Sequence, residues 1–299
     1  MGYADPQYAR SLNEFGEPRE LPHCGGWILV RDIPGTPYRD AMGCYPLFSC
    51  RDWTKLQEDI KQVAPDLVSL SLVTDPFGPI GADYLQDHFD LVKPFKTHYV
   101  VDVGQPLKSF VGKVHRKNAY RAIEVMDIEV CFQPFIYINE WVELYDTLIR
   151  RHDLKGIHAF SPQSFKSQLE IPGMVMFVGR YKGEIVAATL VLLHHQIAYF
   201  HLSAYTKTGY EIKASYGTHW AALDFDYKLP IKHFSLGGAA GLKENARDGL
   251  AEFKKGWANN RRLVYFCGAI LNQEKYDSIC KGKRVPNVDY FPAYRAGEF

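Results

Sequence analysis

The chain has 299 residues, with 35 lysines and arginines against 34 aspartates and glutamates and a formal charge of +1. That length accommodates two domains with separate cores, and the charge balance excludes a protein that coats nucleic acid, which carries a marked basic excess. Nineteen tyrosines, eighteen phenylalanines and five tryptophans suit large cores and a groove for an extended ligand.

Trp27 to Val30 and Tyr45 to Ser49 read as strands. Asp52 then caps a helix whose apolar positions, Trp53, Leu56, Ile60 and Val63, recur at helical spacing. Leu67 to Val73 is a nearly continuous apolar strand, stopped by the Thr74-Asp75-Pro76-Phe77-Gly78-Pro79 loop. A short helix (Tyr84 to Leu91) and a strand (His98 to Val103) follow. Residues 107–123 read as one helix with an apolar side (Leu107, Phe110, Val111, Val114) and a basic side (Lys113, His115, Arg116, Lys117, Arg121).

Ile128 to Phe132 is the next strand, Ile138 to Ile149 an amphipathic helix, and Ser161 opens another helix with Phe165 and Leu169 inward. Met174 to Gly179, Ile185 to Leu193 and Ile197 to Ala204 are strands joined by Lys182-Gly183 and His195-Gln196, spacings that suit hairpins. A helix over Ser215 to Tyr227 leads to a strand at His233 to Leu236. Strand Leu263 to Ile270 and helix Gln273 to Cys280 complete the pattern. The organisation predicted is a smaller α/β domain over 1–105 and a second over 106–282, with 283–299 a tail placed to pack on the first.

Cys24, Cys44, Cys50, Cys131, Cys267 and Cys280 form no CxxC pair and mostly sit in apolar runs, so free thiols in a reducing cytoplasm are expected. The longest apolar run, Ile185 to Leu193, is about half a membrane span, so no stable membrane insertion is expected. The first residues carry no leader pattern. His194 and His195 are adjacent on a strand and point to opposite faces, so they cannot chelate one ion. No metal and no tightly bound cofactor are expected, and no Walker loop, G-x-S-x-G or G-x-G-x-x-G is present.

The most informative stretch is 235–257. A strand runs into Gly237-Gly238, where the backbone can turn with positive φ and admit a ligand closely. Phe253-Lys254-Lys255-Gly256-Trp257 follows a polar loop. This exit from a late strand is where open α/β sheets place ligand chemistry. From spacing alone, the commoner reading of Lys254 is a surface residue on a helix that buries Phe253 and Trp257.

The order β–α–α–β–β–β–α–β over 127–236 resembles a GNAT acyltransferase core, and the chain resembles the Fem-type transferases, which carry two GNAT-like domains. The likeness rests on Gly237-Gly238, on Phe253-Lys254, on Arg151 with Gly156 and Phe165 downstream, and on Asp75-Pro76. It implies an α/β fold of two mixed, partly antiparallel sheets flanked by helices, facing a common cleft. It also implies transfer of an acyl or aminoacyl group to an amine of a cell-envelope, polysaccharide or peptide precursor such as that of peptidoglycan. Two donors fit, an acyl-CoA thioester or an aminoacyl-tRNA. The near-neutral charge tilts towards the thioester, although a tRNA acceptor stem needs only a local basic patch. A degenerate pair that binds such a precursor without turnover is the non-enzymatic alternative.

Under this resemblance Lys254 stabilises the tetrahedral oxyanion beside Phe253, which lines the donor's acyl end. Lys213, Ser215, Tyr216, Gly217 and Thr218 open the helix on which GNAT enzymes lay the donor's pyrophosphate; a plain Ser cap is the ordinary reading. Arg151-His152 would hold a phosphate or carboxylate of the acceptor, or simply complement the end of their helix. Lys113, Arg116 and Arg121 would meet phosphates of a nucleotide-linked acceptor or the tRNA end, or form a solvated face. Asp75 would orient or deprotonate the amine, or only shape its turn. Oligomeric state is not legible.

Overall fold

The computed structural model describes residues 2–78, 81–227, 229–239, 249–285 and 289–298. The polar loop over 240–248 and Pro79 therefore lie outside the described residues. The chain forms two compact units, one of residues 3–95 with 263–299 and the other of residues 96–262.

The first unit opens with helix α1 (Pro6–Ser11) and strands β1 (Glu17–Leu21), β2 (Gly26–Asp32) and β3 (Arg39–Gly43). Helix α2 (Leu56–Val63) and strand β4 (Ser69–Val73) follow. β1, β2 and β3 form an antiparallel run, and β3 pairs with β4 in parallel. Asp52 accepts from the Thr54 N–H at 2.9 Å, and Leu56, Ile60 and Val63 turn inward as their spacing requires. They pack with Ile28, Phe48, Trp53, Leu70 and Leu72 into one core. Tyr45–Ser49 is not a strand. Pro46 cannot donate to a ladder, and only Phe48 pairs, by a single bridge to Thr74.

Helix α3 (Ala82–Gln86) precedes the long strand β5 (Leu91–Asp102), which carries the chain into the second unit. There follow α4 (Leu107–Phe110), α5 (Lys113–Val125), β6 (Asp127–Cys131), α6 (Ile138–His152), α7 (Pro162–Leu169), β7 (Met174–Tyr181), β8 (Glu184–His194) and β9 (Ile197–Tyr205). Helices α8 (Lys207–Glu211) and α9 (Ala214–Asp224), strand β10 (His233–Gly237) and helix α10 (Gly249–Lys255) complete it. β6 to β9 form an antiparallel meander, turned at Lys182-Gly183 and at His195, where φ is positive. β10 then pairs parallel to β9 and antiparallel to β5.

The helix predicted over 107–123 is two helices. Val111 and Gly112 are extended, and the Gly112 N–H is committed to the Gly256 carbonyl at 2.9 Å instead of to a helical partner. The helix expected over Ser215–Tyr227 starts at Ala214 and stops at Asp224. Its cap position is Lys213, with φ of +63°, and not Ser215.

Strand β11 (Asn260–Ile270) returns the chain to the first unit, where helix α11 (Gln273–Gly282) follows. The boundary drawn at 105/106 is thus corrected twice. Lys96–Asp102 belongs to the second unit because Tyr99–Asp102 pairs with β10. Residues 263–282 belong to the first because Phe266–Ile270 pairs antiparallel with β4, and Ile279 packs on Ile33 and Val68. The final segment buries Tyr294 and Arg295 in this unit, on Asp40 and Ser69. No described helix is long and apolar enough to cross a membrane.

Candidate functional site

In the second unit the parallel pairing of β9 with β10 covers only Ile197, Ala198 and Tyr199 against His233, Phe234 and Ser235. β9 runs on to Tyr205 without it, so the two strands part at the C-terminal end of β10. The β5 register also shifts there, between Ser235 and Gly237. Gly237 has φ of +77°, a conformation that L side chains rarely adopt.

Two lysines converge on this turn. The Lys254 Nζ donates to the Gly238 carbonyl at 2.6 Å, and the Lys96 Nζ donates to the Ala239 carbonyl at 3.3 Å. The Lys96 stem and the His98 ring lie against Gly238, where a Cβ would come within 3.2 and 3.3 Å of them. His98 is buried on β5, and burial, followed by the charges of Lys254 and Lys96, pushes its pKa down to about 3. It is therefore a neutral imidazole at pH 7, flanked by cations.

An aromatic and imidazole wall backs the turn. Phe253 lies on α10 and Trp257 in the turn just past its end, with Trp257 fully buried. The His115 Nε2–H donates to the Phe253 carbonyl at 2.9 Å, and the His115 ring meets Tyr216, Phe253 and Trp257. His219 lies edge-on to Phe253 at 4.9 Å. Burial lowers the pKa of His115, and burial with the charge of Lys254 pushes His219 down to about 3. The Lys254 side chain is half-buried beside this wall, and a cation placed where water is partly excluded can act on charge that develops nearby more strongly than one in bulk water.

Of the residues singled out in the sequence, Gly237, Gly238, Phe253, Lys254 and Tyr216 are brought together here. Gly217 and Thr218 serve packing. A Cβ on Gly217 would overlap the Met126 side chain, and the Thr218 hydroxyl accepts from Thr189 at 3.1 Å inside the unit. Ser215 lends its carbonyl to the Thr218 hydroxyl, and the Lys213 side chain is exposed. Arg151 stacks over the Tyr210 ring at 4.0 Å, and His152 is exposed at the end of α6. No described contact joins either to Lys254. Arg116 ties α4 to α5 by donating to the Lys108 and Val111 carbonyls, while Lys113 and Arg121 are exposed.

Asp75 belongs to the first unit, where it accepts from the Ser49 hydroxyl at 2.6 Å and the Phe77 N–H at 2.9 Å. That geometry shapes its own loop. His115, read as part of a basic side, points inward instead. Lys96, His98 and His219 were not singled out. The only signal for His98 was its place in a predicted strand, and no local pattern sets its register against Gly238.

No sequence-family model matches the chain, and no curated protein does. Solved structures do. FemX matches with a TM-score of 0.69 at 11% identity, over 92% of this chain and 93% of FemX. The C-terminal domain of a proposed lysylphosphatidylglycerol synthetase from Agrobacterium fabrum matches with a TM-score of 0.60 at 15% identity, over 95% of this chain and 92% of that one. L-PGS from Bacillus licheniformis matches with a TM-score of 0.57 at 17% identity, over 94% and 96%. At such identities the likeness lies in the fold: the chain shares the α/β fold of FemX and of these two further structures.

Proposed function

We propose that the chain is an N-acyl- or aminoacyltransferase in which Lys254 stabilises the oxyanion formed as an amine attacks a thioester or ester carbonyl. The carbon–nitrogen bond forms first, and the carbonyl oxygen takes up negative charge beside the ammonium. Collapse then expels the thiolate or alkoxide, and the proton of the new ammonium leaves with it. No covalent enzyme intermediate is required. The observation that supports this most is the Lys254 ammonium held 2.6 Å from the Gly238 carbonyl, where β9 and β10 part. A preorganised cation there costs no reorganisation during reaction. Phe253 and Tyr216 supply an apolar flank for an acyl chain.

The neutral overall charge favours a small thioester donor over a tRNA, and an amine on a cell-envelope, polysaccharide or peptide precursor as acceptor. The test begins with thermal shifts against CoA, acyl-CoA and uridine-diphosphate sugars, since a ligand of the folded state raises Tm by mass action. Transfer to candidate amines follows. Lys254→Ala should lower turnover roughly a hundredfold or more with donor affinity nearly intact. Undiminished turnover in that variant would remove Lys254 from the chemistry, and binding of a donor or precursor without transfer to any amine would shift the weight to a non-catalytic binder.

A further inference from the structure

Among the described residues four buried side-chain nitrogens lack a hydrogen-bond partner: Nδ1 of His98, Nδ1 of His219, Nε1 of Trp141 and Nε1 of Trp257. Such atoms are rare in native proteins, and each calls for a physical reason, a catalytic role among them. All but Trp141 belong to the surroundings of Lys254, where His219 and Trp257 are packed into the wall of rings. His98 differs from both. It stands on β5 where that strand meets the end of β10, against the glycine whose carbonyl holds the Lys254 ammonium. His98, Gly238 and Lys254 all belong to the second unit.

The geometry limits what His98 offers. Its Cδ2 lies 3.3 Å from the Cβ position of Gly238, so Nε2, bonded to Cδ2, shares the ring edge at the turn, while Nδ1 is the sealed nitrogen. Burial, followed by the charges of Lys254 and Lys96, keeps the imidazole neutral, and a neutral ring carries one proton. On Nδ1 that proton would be a buried N–H without an acceptor, the rarer kind of orphan. On Nε2 it faces the turn. A neutral imidazole of this kind acts on a carbonyl as a hydrogen-bond donor.

We propose that the Nε2–H of His98 is the second donor of the oxyanion site, working beside the Lys254 ammonium at Gly238. The proposal rests on the transferase reading and adds a residue to its chemistry. As the amine adds, the carbonyl oxygen takes up negative charge and accepts from both donors. His98 keeps its proton throughout, and collapse of the intermediate releases both bonds. This accounts for a buried histidine without a hydrogen bond in the free protein, because its acceptor arrives with the donor substrate. A side chain serving only to fill the space would be apolar and would leave no nitrogen unsatisfied.

The test is hydroxamate formation from acetyl-CoA and hydroxylamine, a nucleophile small enough to need no acceptor site, read as the rate above the uncatalysed reaction. His98→Asn should lower that rate roughly a hundredfold, the usual loss of one oxyanion donor, with acetyl-CoA affinity within about twofold of wild type. The longer amide of His98→Gln places an N–H near the position of Nε2 and should recover about tenfold over His98→Asn. Lys254→Ala/His98→Asn should be little slower than the slower single variant, because both donors serve one oxygen. A wild-type rate in His98→Asn, with Lys254→Ala slow, overturns the inference and leaves the transferase reading standing. Equal losses in His98→Asn and His98→Gln, with equal falls in Tm, also overturn it, since packing alone gives that pattern. No acceleration by the wild-type chain overturns both the inference and the reading beneath it.

Discussion

A Cβ on Gly237 would lie 3.0 Å from the Lys254 ammonium, in a backbone conformation of φ +77°. The glycine therefore does two things: it makes the turn, and it leaves room for the cation at the carbonyl of its neighbour. Gly237→Ala is expected to cost about 1 kcal/mol through the positive φ and to push the ammonium aside. If Lys254 acts on the reacting carbonyl, turnover should fall far more than that stability loss accounts for, by about tenfold or more. A variant that loses stability but keeps its rate would detach the turn from the chemistry.

Lys254→Arg separates charge from position. The guanidinium keeps the charge but is planar and cannot occupy the point held by the ammonium 2.6 Å from Gly238. We expect partial recovery relative to Lys254→Ala in single-turnover rate, with donor binding unchanged. Full recovery would indicate a diffuse electrostatic effect instead of a placed donor.

Much of the frame could be read in the sequence. The hairpins at Lys182-Gly183 and His195-Gln196, the Asp52 cap and the apolar run of β4 are local, and the structure has each of them. The glycine turn and Phe253-Lys254 were legible through family likeness, and the contacts join them. What local pattern could not show was set by distant partners. The break in 107–123 exists because Gly112 bonds to Gly256, and His115 turns inward because Phe253 offers a carbonyl. The unit boundary moved because β11 pairs with β4, far away in sequence.

Gly256 explains why small size is needed two residues after Lys254. A Cβ there would overlap the His115 imidazole. Gly256→Ala should destabilise by about 1–3 kcal/mol, the usual cost of overpacking, measured by urea unfolding. His115→Ala in that background should recover most of the loss, because the two sites share one volume. Strictly additive losses would show that the alanine is accommodated elsewhere.

Acid should unfold the protein before its carboxylates titrate. His98, His201 and His219 are each pushed down to about 3, burial being the largest cause, against an ordinary 6.5. Below pH 6.5 the unfolded chain takes up protons that the folded one refuses, so stability is lost as pH falls towards 3. At about pH 5 the deeply buried His98 and His219 each remove up to about 2 kcal/mol relative to neutral pH, and His201 acts in the same direction. The slope of stability against pH should fall by about one proton in His98→Asn or His219→Asn. An unchanged slope would mean that these imidazoles protonate in the folded state.

The end of the chain should behave as a structural part of the first unit. Asp40 is fully buried, and Arg295 reaches it with two nitrogens, at 2.5 and 3.0 Å. Arg31 at 3.2 Å and the Tyr294 hydroxyl at 3.1 Å complete its partners. A buried carboxylate that loses its forked partner keeps its desolvation cost without the compensating attraction. Arg295→Ala is therefore expected to destabilise by about 3–5 kcal/mol. Arg295→Lys should restore only part of it, since an ammonium cannot make the paired contact. Arg295→Ala/Asp40→Asn should lose less than Arg295→Ala alone, because the charge left stranded is removed with its partner. Hydrogen exchange gives the location: in Arg295→Ala, β3 and β4 should lose protection, because Asp40 and Ser69 lie on them. A loss below about 1 kcal/mol would instead place the stabilising work on Arg31 and Tyr294.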